Sequence, residues 1–138
     1  MASRRARTDT IVLIASVLAA LVVYGWLVPR HLMTGTWSRA VLYLVVGWVP
    51  YTLAFYAAGR GRAATTRLPS MRAADIGLAL FLVALLLSLG LEAWGFTPER
   101  VPTAHVLQAI GIFVGLALFG WGIGRRSAAI STLRRDTE

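Results

Sequence analysis

Residues 76–96, Ile76 to Phe96, read IGLALFLVALLLSLGLEAWGF, with Glu92 the one charged side chain in the stretch. A helix over about 20 apolar residues rises far enough to cross the ~30 Å hydrocarbon layer of a bilayer. The stretch is apolar on every side. It has neither the polar stripe of a helix lying on a soluble core nor the alternation of a barrel strand.

Three further stretches of the same kind lie on either side of it: Ile11–Val28, Ala40–Ala58 and Val106–Ile123. Short polar segments separate them, so the sequence predicts an all-α membrane protein of one domain, with four transmembrane helices arranged as two hairpins. Composition agrees, because 57% of the 138 residues are hydrophobic and only 14% are charged. A soluble domain carries about 25% charged residues.

The first span follows Arg4, Arg5 and Arg7, as the apolar core of a signal peptide would. Its apolar run is too long for that, and no small-x-small cleavage site follows Tyr24-Gly25-Trp26, so it reads as an uncleaved span. All fourteen basic residues are arginine, as codon bias in a GC-rich genome would give, and there is no cysteine for disulfides or thiolate chemistry.

The net charge of +8 has a definite distribution. Eleven arginines fall in the N-terminal tail (Arg4, Arg5, Arg7), the middle loop (Arg60, Arg62, Arg67, Arg72) and the C-terminal tail (Arg125, Arg126, Arg134, Arg135). Three (Arg30, Arg39, Arg100) fall in the other two loops. The positive-inside rule places both termini and the middle loop in the cytoplasm. Anionic lipid headgroups are then the expected partner of the basic surface. A nucleic-acid partner is not expected, since no aromatic platform accompanies Gly59-Arg60-Gly61-Arg62.

Boundary aromatics fit this orientation, with Tyr24, Trp26, Trp37, Trp94 and Phe96 at the outer edge and Tyr56 and Trp121 near the inner one. Pro69-Ser70 suits a helix start, with Ser70 as the N-cap and Asp75 in the early turns. The two hairpins also echo each other, from Arg7-Thr8-Asp9 to Trp26 and Pro29 and from Arg72 and Asp75 to Trp94 and Pro98. Any inside-to-outside span selects such flanks, so the echo does not require a duplication.

Few side chains within the spans carry chemistry. Glu92 lies about one turn below the outer boundary, and His105 and Gln108, three residues apart, share a face of the fourth helix. If the third and fourth helices are antiparallel, Glu92 and Gln108 come to similar depth. Glu92, His105 and Gln108 are therefore the candidate polar site for a proton, cation or substrate. The preferred reading of Glu92 itself is a shallow carboxylate that reaches headgroup water. A metal would need more ligands, and only His31 offers itself, so neither metal nor cofactor is expected.

Pro50 falls mid-span, where it cannot donate to the Val46 carbonyl, so a kink is expected there. Gly111 with Gly115 and Gly120 with Gly124 are small-xxx-small pairs that let helix backbones approach closely, within the bundle or against another protein.

Paired intramembrane carboxylates, nucleophile elbows, zinc-binding helices and phosphate loops are all missing. The expectation is a non-catalytic membrane protein that works through helix contacts, as an accessory, regulatory or immunity and exclusion-type factor. The alternative is a small oligomeric transporter or channel subunit using the polar site.

Overall fold

The computed structural model describes residues 2–62 and 67–136, which are helical apart from short connections. The helices are α1 (Ala2–Val22), α2 (Val28–Met33), α3 (Trp37–Val46), α4 (Trp48–Gly61), α5 (Arg72–Ala93) and α6 (Pro102–Asp136). A π-helical segment, Val23–Leu27, joins α1 to α2 without a break. By length and composition they form four membrane-crossing helices, Ala6–Met33, Trp37–Gly61, Arg72–Ala93 and Pro102–Arg135. The chain is thus a multi-pass membrane protein.

These helices outrun the apolar stretches. The fourth has 35 residues, about 50 Å at 1.5 Å per residue. Its last turns, carrying Arg125 to Arg135, project well beyond the hydrocarbon.

Each of the two upper connections begins at a glycine-capped helix end. Gly35 (φ 70°) and Gly95 (φ 78°) occupy the left-handed region that side chains disfavour. At each, two backbone bonds close a Schellman motif. Gly35 donates to the Leu32 carbonyl and Thr36 to His31, while Gly95 donates to Glu92 and Phe96 to Leu91. The start of α5 differs from the expectation. Its N-cap is Met71, with no side-chain cap bond, so Ser70 does not cap it; Asp75 does lie in the first turn.

The interior is made of small residues. Ala40, Ala57, Ala74, Ala84 and Ala129 are at most 5% exposed, whereas Leu86 and Leu107 are 67% and 68% exposed. This arrangement is inside-out for a soluble bundle and natural in lipid. Hydrocarbon solvates leucine as well as a protein core does, so helices gain by close backbone contact instead.

Helix α6 provides that contact on two faces. A Cβ on Gly115 would stand 2.7 Å from the Phe81 nitrogen and the Gly77 oxygen, and one on Gly122 would stand 2.6 Å from the Ala74 nitrogen. That face meets α5, antiparallel. A Cβ on Gly120 would stand 2.5 Å from the Thr52 carbonyl oxygen, and one on Gly124 would collide with the Tyr56 carbonyl. That face meets α4, parallel. Helix α1 packs on the other side of α4, so the backbones lie side by side in the order α1, α4, α6, α5. Both glycine pairs therefore face neighbours within the chain.

Candidate functional site

The three residues of the predicted polar site occupy different surroundings. Glu92 is exposed in the last turn of α5. The seam that α5 presents to α6 runs through Gly77 and Ala84, seven residues apart, and extrapolates to Leu91. Glu92 lies about 100° round the helix from that line. His105 donates from Nδ1 to the Val101 carbonyl of its own first turn, 3.1 Å away. Gln108 is buried, 8% exposed. Among the described residues no hydrogen bond or ion pair joins the three.

Gln108 belongs to a different feature. It lines a groove of about 340 Å³ between α5 and α6, with Ala84 and Gly111 beside it and Leu80, Leu87 and Leu107 along the walls. Its Oε1 is buried without a hydrogen-bond partner. A buried carbonyl oxygen left unpaired costs about 1–3 kcal/mol, so such groups are rare without a purpose. Trp48 Nε1 is a second such atom, a donor on α4. Its ring packs on the apolar cluster of Ala84, Ile112 and Leu116 and stands edge-on to Phe81, with centroids 5.4 Å apart.

Two helices are irregular at the same level. The second span breaks at Gly47, between α3 and α4, three residues before Pro50. Gly47 donates to Tyr43 and Tyr51 to Gly47, while Pro50 has no N–H to offer Val46. Pro50 thus leaves one backbone bond unmade close to where α3 passes into α4. In the first span the π-helical turn ends where Val28 donates to the Val23 carbonyl, one residue farther back than in an α-helix. Pro29, which cannot bond Gly25, follows directly and accounts for the widening.

Tyr24 lies in that turn and packs into the bundle. Its hydroxyl donates to the Leu44 carbonyl at 3.1 Å, and a Cβ on Gly47 would meet its ring at 2.6 Å. Phe113 stands edge-on to Tyr24 and to Tyr51, with centroids 5.4 Å and 5.1 Å apart. Tyr24 is therefore not a boundary anchor. It fills the notch at Gly47, bonds backbone beside the break and joins the first, second and fourth spans.

His31 lies at the first connection. Its Nδ1 and the Thr36 hydroxyl share a 2.8 Å hydrogen bond, and its ring stacks on Tyr43 at 5.1 Å.

The arginine-rich end carries a polar network that the sequence did not single out. Arg60, on α4, donates from Nε to Asp9 of α1 at 2.9 Å and from Nη1 to Ser127 of α6 at 2.8 Å. The Tyr56 and Ser127 hydroxyls share a bond of 3.1 Å, and the Arg60 guanidinium lies over the Tyr56 ring. Arg62 lies over the Trp121 ring, 5.5 Å from its centroid. Arg126 donates to the Pro69 carbonyl at 3.4 Å, which ties the middle loop to α6. Three spans are thus joined through one guanidinium.

No family model matches the chain, and no curated protein or solved structure matches it either.

Proposed function

We propose that this chain is a non-catalytic multi-pass protein of the cytoplasmic membrane, with four spans as two hairpins and both ends in the cytoplasm. It acts by helix contact with another membrane protein, as an accessory, regulatory or exclusion-type factor. The observation that carries this reading is the unpaired Gln108 carbonyl oxygen in the α5–α6 groove. Glutamine side chains bond across helices in membranes, at about 1 kcal/mol each. The leucines along the groove offer a partner helix apolar walls.

The test is site-specific photocrosslinking in native membranes. A photoreactive residue at Ile110, on the groove, should give one discrete adduct, whereas one at Leu86 should label lipid. Gln108→Leu should abolish the adduct while leaving the isolated protein as stable or more so, because the unpaired oxygen is gone. If no discrete adduct forms, or Gln108→Leu leaves it intact, contact through this groove is refuted. Solute flux in proteoliposomes of the purified protein, lost with Gln108→Leu, would install the transporter alternative instead.

A further inference from the structure

At the arginine-rich end, α1, α4 and α6 enclose a cleft of about 700 Å³. Its charged lining among the described residues is Arg60, Arg62, Arg135 and Asp9, and its apolar wall includes Leu13, Phe55 and Trp121. A second hollow, about 230 Å³, is lined by Phe55, Ala117, Leu118 and Trp121. The two share Phe55 and Trp121. Ala117 lies four residues before Trp121, one turn deeper into the bundle, so the hollow continues the cleft towards the hydrocarbon.

From this arrangement we infer that the cleft is a binding site for one anionic phospholipid. Its phosphate lies among Arg60, Arg62 and Arg135, and an acyl chain occupies the Phe55–Trp121 hollow.

Charge supports the headgroup. Among the described residues Asp9 is the one acid in the lining against three arginines, and it engages Arg60. Positioning supports it further. With Nε on Asp9 and one Nη1 proton on Ser127, Arg60 is held rigid at the cleft, and a fork of five N–H donors is not used up by these two bonds. The Trp121 ring beneath Arg62 holds that guanidinium at the mouth. General attraction of basic loops to a negative leaflet needs no such convergence of two helices. The apolar continuation sets a lipid apart from free phosphate or nucleic acid, neither of which would occupy it.

The experiment is native mass spectrometry of the intact protein released from vesicles of phosphatidylcholine with a minor fraction of phosphatidylglycerol. One retained phosphatidylglycerol is expected. Two arginines near a headgroup are worth about tenfold to thirtyfold in retention, which the Arg62→Gln/Arg135→Gln double variant should lose. Arg100→Gln, at the opposite end, should lose none. Arg62→Lys with Arg135→Lys should recover much of it, as a charge effect must.

Ala117→Leu, which fills the hollow, should weaken long-chain phosphatidylglycerol and spare the short-chain lipid. Unchanged helicity and elution of each variant exclude misfolding. Equal retention of phosphatidylcholine would overturn the site. So would retention that survives the double glutamine variant, or competition by inorganic phosphate as effective as the lipid.

Discussion

Replacing glycines of α6 by alanine tests whether backbone contact holds the bundle. In an exposed helix interior, glycine to alanine stabilises by about 1 kcal/mol through propensity. Gly90, half-buried near the end of α5, is the reference position, with nothing within 4 Å of an added Cβ. At Gly120 the added carbon would lie 2.5 Å from the Thr52 carbonyl oxygen, where a relaxed C···O contact needs about 3.3–3.6 Å. The obstacle is backbone, so α4 and α6 must separate by about 1 Å.

A gap of that size forfeits roughly a quarter to a half of each facing contact. Overpacking of this kind costs about 1–3 kcal/mol. Gly124 faces the same helix, so one displacement relieves both clashes. The double variant Gly120→Ala/Gly124→Ala should therefore cost little more than either single one. Gly115→Ala acts on the α5 seam and should add to either. The assay is reversible unfolding in mixed micelles with increasing SDS, followed by helicity and tryptophan fluorescence. If Gly120→Ala and Gly124→Ala behave like Gly90→Ala, close packing is not what holds α4 to α6.

Reporter fusions after Glu138 and within residues 60–72 should report cytoplasm, and fusions within 34–38 or 97–103 the outer face; an externally active C-terminal fusion would refute the orientation. Glu92→Gln should leave insertion and unfolding within about 0.5 kcal/mol of the parent, as exposed positions do. A larger loss in the same micelle titration would mean that this carboxylate has a partner.

How far the sequence discloses the fold depends on how local each cause is. The spans follow from length and hydropathy, which are local. The division of labour between the glycine pairs was also within reach. Gly111 to Gly120 and Gly115 to Gly124 are each nine residues apart, and nine steps of 100° put the pairs on opposite faces. Gly122, seven residues after Gly115, returns to the first face. What no pattern discloses is the neighbour each face meets. Gly59 and Gly77, whose added Cβ atoms would strike α6 backbone, look like any other glycines in the sequence.

Tyr24 escaped for a subtler reason. Its place in sequence suits the boundary, whereas in the fold it lies in the widened turn before Pro29 and meets Gly47, Tyr51 and Phe113. The polar site was drawn from depth and not from azimuth, and Glu92 sits off the seam that Ala84 and Gly111 define. Asp9 and Asp75 hold matching places in the apparent repeat. Yet Asp9 meets an arginine 51 residues away, while Asp75 is exposed at the start of α5.

Tyr56 links the packing of α4 and α6 to the charged cleft below it. Its carbonyl is the atom that an added carbon on Gly124 would strike. Its hydroxyl bonds Ser127, the residue that also receives Arg60. The closeness that glycine permits at 124 therefore sets where Ser127 stands, one turn further along α6. Ser127 in turn fixes one edge of the Arg60 guanidinium while Asp9 fixes another. Separating α4 from α6 would draw Ser127 away from Arg60 and leave Asp9 alone to hold it, towards α1. The glycine seam and the arginine cluster look unrelated in the sequence, but in the folded chain the first determines the geometry of the second.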